Sequence, residues 1–347
     1  MPRAYSRRAV LGGALGALGA LGVAGIAGCT GSGRVPLSSD ATPTPGSTTA
    51  SASTTAAAAT SAAPSPMRTV TAATGTVQVP EQPSRVVVLD TGELDSALTL
   101  GLTPVGAARP ALDPGLPHYF PASWLSGIAL VGTVGAPDLA AIARLEPDLI
   151  LSNRTRDGDR YEQLAAIAPT VLTESNGAAW KDNFQLHAQA LNKQNAADAI
   201  TTAYQEHVHQ FVAALGGSAA TRKQRISLVR FVQDEDPRAY ANNNFTGSLL
   251  AEVQLGRPPA QNVPAFEVVI PTAADLGDAD GSTIFYATYG DPARAHTTEV
   301  VNSASWKNLS GVKARRAFEV DDQLWYLGIG YFGANLILAQ LQRYLGG

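Results

Sequence analysis

Apolar and polar positions along the chain fall into short alternating units. The segment "TVTAATGTVQVPEQPSRVVVLD" alternates around Val70 and Val77 and predicts a hairpin, and its end, "RVVVLD", is the continuous β-branched run of a strand covered on both faces. "GELDSALTLG" then places Leu94 and Leu98 at helical spacing and closes on Gly101. "TPVGAA" predicts the next strand. In "DLAAIARLEPDLILSN" a helix stopped by Pro147 precedes a strand from Leu149 to Leu151, and "RYEQLAAIAPTVLTE" repeats the helix-strand order. Units alternating in this way predict a parallel sheet flanked by helices.

From about Lys181 to Gly216 no strand pattern occurs. Ile200, Tyr204, Val208, Phe211, Val212 and Leu215 form one stripe ending at a glycine pair, which predicts a long amphipathic helix. Strands then resume in "RISLVRFV", "STIFYATYG" and "AFEVD", alternating with helices in "TGSLLAEVQLG", "SASWKNLSGV" and "GANLILAQLQRYL". The order is lobe, connecting helix, lobe: 67–195, 196–217 and 218–347.

The N-terminal region has a different character. Arg3, Arg7 and Arg8 precede an uncharged stretch of Ala, Leu, Gly and Val from Ala9 to Ala27, as in a secretory signal over 1–28, and the pair in "SRRAVL" sits where a twin-arginine export signal would place it. "IAGC" resembles the bacterial lipobox, which makes Cys29 the expected lipid-attachment residue. Residues 29–66 then carry Ser, Thr, Ala, Pro and Gly with few large apolar groups, the composition of a disordered tether. Such a tether would reach roughly 30–36 Å.

Cys29 is the only cysteine among the 347 residues, so the folded part has no thiol for a disulfide or a nucleophile. The remaining composition, 45% hydrophobic and 16% charged, is that of a globular chain long enough for two lobes. A formal net charge of −4 disfavours nucleic acid as a partner.

The segments "VPEQPSRVVVLDTGELDSALTLGLTPVGAA", "LEPDLILSN", "YEQLAAIAPTV", "WKDNFQLHAQALNKQNAADAI", "NNNFTGSLLAEVQLGRP" and "DDQLWYLGIGYFGANLIL" occur in the order found in iron-siderophore substrate-binding proteins. The chain resembles these ferric citrate, ferric hydroxamate and cobalamin type receptors of ABC importers from about Thr69 to Gly347. The resemblance implies two α/β lobes of the class III periplasmic-binding-protein type, joined by one long helix, with the ligand cleft between them. It also implies a monomeric, non-enzymatic protein on the extracytoplasmic face of a bacterial membrane, with no intrinsic cofactor. Its ligand would be a ferric siderophore rather than heme or cobalamin, and its partner a permease driven by a separate ATPase.

Ferric siderophores are often anionic with apolar rims, so arginines and aromatic faces are the expected lining. The resemblance points to Arg154 after "PDLILSN", Arg230 in "SLVRF", Arg238 and Tyr240 in "DPRAYANN", and Trp325 in "LWYLGIG". Tyr286, Tyr289 and Trp306 are added by their expected places at strand ends. The plainer alternatives are ion pairs of Arg154 and Arg238 with Asp157, Asp159 or the "DEDP" run, and a core position for Trp325. Ala140 stands where many family members carry a glutamate that docks on the permease. Glu93, Asp95 or Asp138 could take that role, with Glu252 as the counterpart on the second lobe.

"GIGYFG", Gly328 to Gly333, satisfies a dinucleotide fingerprint in letters, but too few residues follow for the return strand and acidic residue. It is expected to free the backbone at the start of the last helix, with the helix amides available to the cleft. His207 and His209, two apart on a helix, point in nearly opposite directions, and His118, His187 and His296 show no metal-ligand spacing. A hydrolase lacks its G-x-S-x-G elbow. The competing function is a surface-held heme or iron-chelate binding or scaffold protein without a standard permease-docking role.

Overall fold

The computed structural model describes residues 66–346. The signal segment, the lipobox cysteine Cys29 and nearly all of the tether lie outside the described residues. The described chain opens with the antiparallel hairpin β1 (Met67–Ala72) and β2 (Gly75–Pro80), in which Val70 faces Val77. Gly75 takes φ +102° at the turn, a conformation only glycine adopts without strain.

The first lobe is built on β3 (Val86–Val88), β4 (Gly106–Arg109), β5 (Ala129–Thr133), β6 (Ala136–Pro137), β7 (Leu149–Asn153) and β8 (Thr170–Thr173), ordered β6-β5-β4-β3-β7-β8. All pairings in that sheet are parallel except β5 with β6. The central strand β3 is wholly buried, as its unbroken valine run requires. One face packs on the Thr91–Thr99 and Trp180–Leu191 helices, and the other on Ile142 and Leu164.

Asn192, in the left-handed conformation at φ 55°, ends the Trp180–Leu191 helix and lets the Gln194–Ala214 helix begin at once. Tyr204, Val208 and Phe211 form the buried stripe of this long helix. The second lobe follows, with β9 (Ile226–Val232), β10 (Arg238–Tyr240), β11 (Glu267–Val269), β12 (Thr283–Tyr289) and β13 (Ala317–Glu319) ordered β11-β10-β9-β12-β13. The α/β class with two lobes is therefore the fold.

Three details differ from the sequence expectation. β10 and β11 run antiparallel at the sheet edge, and each is only three residues long, too short for a periodic signal. The helix expected over "SASWKNLSGV" is two short ones, Ala304–Lys307 and Ser310–Lys313. The last helix, Tyr331–Leu345, also packs against the first lobe: Asp95 accepts from the amides of Phe332 (3.1 Å) and Gly333 (3.0 Å). A Cβ on Gly330 would collide with that carboxylate, so glycine is required there.

Candidate functional site

Strand alternation decides what the second lobe presents to the first. In β9, Leu228 and Arg230 project to one face while Val229 and Phe231 project to the other. Arg230 is 7% exposed. Its Nε and one terminal nitrogen donate to the two oxygens of Asp322, each at 2.7 Å, and its other terminal nitrogen donates to Tyr240 Oη at 2.9 Å. The guanidinium carbon lies 4.7 Å from the centre of the Tyr289 ring and 5.2 Å from that of Tyr326. A buried cation needs such a partner set: a bidentate carboxylate, a phenol oxygen and ring faces. Burial opposes the charge of Arg230, but Tyr240 and Asp322 outweigh it and hold the guanidinium above its ordinary range.

Two further groups lie on the same wall. Arg238 stands directly across from Arg230 in the β9–β10 register and pairs with Glu267 at 3.0 Å and with Glu235. Tyr240 leans on Phe266, ring centres 5.3 Å apart, and Phe266 is 50% exposed. The first lobe closes over both ends of this wall. Tyr289 Oη accepts from the amide of Leu112 at 3.0 Å, and a Cβ on Gly177 would touch Asn244 and Phe266. His118 Nε2 lies 2.7 Å from Asp321, a second contact between the lobes.

From the first lobe, the carboxyl ends of β3 and β7 supply Asp90, Asn153, Arg154 and Arg156, at the strand edge where α/β proteins bind ligands. Asp90 caps the Thr91–Thr99 helix through the Thr91 amide. Arg156, with 47% of its side chain exposed, donates to Asp90 Oδ2 at 3.1 Å. Arg154 is more exposed and pairs with Glu174 at 3.3 Å.

The structure thus brings Arg230, Arg238, Tyr240 and Tyr289 onto one face of the second sheet, and Arg154 to the edge of the first. It removes three other candidates from that surface. Trp325 is 0% exposed, its ring against Phe285 (4.6 Å) and its Nε1 donating to Gln340 (2.7 Å), so it is a core plug. Tyr286 and Trp306 pack on each other at 5.5 Å on the opposite face of the sheet with Phe231. With a side-chain period of two, Tyr286 cannot share a face with Tyr289 three residues on.

The docking candidates also change. Glu93 is 1% exposed inside the first lobe and Asp95 is buried as the cap of the last helix, so neither can meet a permease. Glu252 is held by Lys181 and by Tyr204 Oη (2.9 Å), joining the lobes to the connecting helix. Asp138 is exposed and caps the Leu139–Arg144 helix. The amides of the last helix that could have faced the cleft are occupied by Asp95.

Asp322, Tyr326, Phe266, Asp90 and Arg156 are site-wall residues that the sequence reading did not single out. Only Asp90 and Arg156 carried a usable signal, a charge just after a buried strand. The wall offers guanidinium and phenol donors beside aromatic faces, a set suited to chelate oxygens with an apolar rim.

Comparison with known proteins adds to this geometry. The sequence pattern of the family described as "Periplasmic binding protein" matches residues 86–324. The chain is 34% identical over 292 residues to the probable siderophore-binding lipoprotein YfiY of Bacillus subtilis, covering 81% of this chain and 88% of that protein. It is 26% identical over 287 residues to the Fe(3+) dicitrate-binding periplasmic protein FecB of Escherichia coli, covering 78% and 88%. Among solved structures, Staphylococcus aureus SirA complexed with staphyloferrin B superposes with a TM-score of 0.72 at 27% identity, covering 80% of this chain and 98% of that one.

Proposed function

The chain belongs to the periplasmic binding protein family, and from that premise we propose that it captures a ferric siderophore outside the membrane for an ABC importer of iron. The observation that carries this reading is the wall of Arg230, Tyr240, Tyr289 and Tyr326 on the second lobe, together with Arg156 held by Asp90 on the carboxyl edge of the first sheet. Its chemistry matches what the names of the relatives describe, a siderophore-binding lipoprotein and a ferric dicitrate-binding protein.

In this reading the working units are the lobes 67–195 and 218–347 with the helix 196–217 between them, and the lipid on Cys29 with its tether holds them near the permease. The ligand enters between the lobes. Arg156, Arg154 and Arg238 face it with exposed or part-exposed charge, and Tyr289 and Phe266 cover its apolar rim. Arg230 acts as a donor framework whose charge Asp322 already balances. Differential contacts with the two lobes favour the closed form. A separate ATPase drives import, and the protein itself performs no chemistry on the chelate.

Intrinsic fluorescence of the four tryptophans reads the binding. The purified protein is titrated with ferric citrate, ferric staphyloferrin B, a ferric trihydroxamate, the iron-free forms, heme and cobalamin. Saturable quenching by one ferric class near or below ~1 μM, about −8 kcal/mol, weakened in Arg156→Gln, supports the reading. Binding of heme or cobalamin alone overturns the cargo, and no binding at all overturns the function.

A further inference from the structure

Beneath Arg156 the first lobe holds a line of polar groups that core packing does not require. Arg156 Nε donates to Asp90 Oδ2 at 3.1 Å. Asn153 Nδ2 donates to that same oxygen at 3.2 Å and to Glu93 Oε1 at 3.3 Å, bridging two buried carboxyl groups with one amide. Glu93 Oε1 lies 3.9 Å from His187 Nε2, and His187 Nδ1 lies 2.9 Å from Ser96 Oγ. The line runs from a half-exposed guanidinium to an imidazole whose side chain is 2% exposed.

Among the described residues, two atoms at its inner end, Glu93 Oε2 and His187 Nε2, are buried without a hydrogen-bond partner. Buried polar atoms are almost always satisfied, so a carboxyl oxygen and a ring nitrogen left unpaired, on groups that approach to 3.9 Å, mark hydrogen-bonding capacity that the packing of this core has not used. The surrounding charges are few. Asp90 comes from the cap of the same helix, and Asp157, on the short helix Arg154–Asp157 after β7, is matched by Arg160 at 2.6 Å and by Ser152. Asn176 lies against Gly92 from the loop after β8, and His187 comes from the Trp180–Leu191 helix. Arg156 is the cation that faces Asp90.

We propose that Arg156 receives an anionic group of the ligand, and that drawing it away from Asp90 is accompanied by uptake of a proton from solvent onto the Asp90–Asn153–Glu93–His187 relay. This rests on the ferric-siderophore reading above. When the guanidinium turns to the ligand, two desolvated carboxyl groups are left facing each other with less positive charge nearby, and a proton added to a carboxylate oxygen of the pair relieves the repulsion. Burial and Asp90 already raise Glu93 to about 8, and burial holds His187 down to about 3, so Glu93 is the group that takes the proton. The sign follows. Affinity rises as pH falls through about 8 and levels off on the acid side, where Glu93 is protonated with or without ligand.

The test has a ligand-free arm and a ligand arm, both on the full chain. Potentiometric difference titrations against Glu93→Gln, an isostere of the protonated acid, read the Glu93 proton without ligand. One group titrating near 8 is expected in the unmodified protein; it moves up in Arg156→Gln and stays in place in Arg156→Lys. An unmoved titration in Arg156→Gln overturns the relay. Calorimetry at pH 8 in two buffers of different ionisation enthalpy, with ferric citrate and with ferric staphyloferrin B, then counts protons taken up on binding. Proton changes of the chelate itself cancel between proteins, and a one-unit shift predicts roughly 0.4 proton more in the unmodified protein than in Glu93→Gln. Equal counts overturn the coupling while leaving the binding function intact. Absence of binding overturns the function and the anion-receiving role of Arg156, and the ligand-free arm then decides the relay by itself.

Discussion

Replacing Arg230 by methionine separates the framework role of this arginine from a direct one. The substitution keeps the volume but leaves the Asp322 carboxylate, 8% exposed, without its bidentate partner, and it removes the donor to Tyr240 Oη. Breaking a buried pair from one side costs about 3–5 kcal/mol, because the remaining charge keeps its desolvation penalty. A lost hydrogen bond to a phenol adds about 1 kcal/mol. Replacing both partners, Arg230→Met with Asp322→Leu, removes the charge together with its complement and is expected to return stability to within about 1 kcal/mol of the unmodified protein.

Urea unfolding followed by far-ultraviolet circular dichroism measures all three proteins, and pH supplies an independent check. Burial pushes Asp322 upward and Arg230 opposes that push, so without Arg230 its folded value rises further above the unfolded one. A raised carboxyl favours the folded state only below its unfolded pKa and loses that advantage as pH rises through the folded pKa. The deficit of Arg230→Met is therefore smallest at acid pH and grows toward neutrality. The framework reading is refuted if Arg230→Met unfolds within 1 kcal/mol of the unmodified protein at pH 7, or if the double variant is no more stable than the single one.

Other consequences are measured in the same way. Asp95 is raised by burial to about 6 despite its bonds to helix amides, so it costs stability as pH rises from the unfolded carboxylate range through 6; Asp95→Asn flattens that slope in pH-dependent thermal unfolding. Trp325→Ala is expected to cost about 3–5 kcal/mol in urea unfolding through the cavity beside Phe285, while chelate affinity measured in the folded protein stays within about threefold. Gly330→Ala places a methyl against Asp95 and lowers the melting temperature, and combining it with Asp95→Ala, which removes the obstructing carboxylate, costs less than the sum of the two single changes.

What depends on neighbours a few residues away was already legible in the amino-acid pattern. The β-branched run of β3, the stripe of the Gln194–Ala214 helix and the order of two lobes around it all follow from the periods of strand and helix, which are local properties of the backbone. The same periods carried Arg230 and Tyr289 to strands of one lobe, while Arg238 and Tyr240, on a strand of three residues, came from the family resemblance alone. What the periods left undecided were partners distant along the chain. Asp322, 92 residues beyond Arg230, turns a presumed ligand cation into half of an ion pair. Asp95 meets an amide 238 residues further on and closes a helix end that otherwise faced the cleft. Glu93 reads as one more charge on a helix, yet its helix lies between the first sheet and the Trp180–Leu191 helix, where burial takes the carboxyl out of water and raises its pKa. Short-range sterics write secondary structure into a sequence, whereas desolvation and charge pairing depend on which distant segments folding brings together.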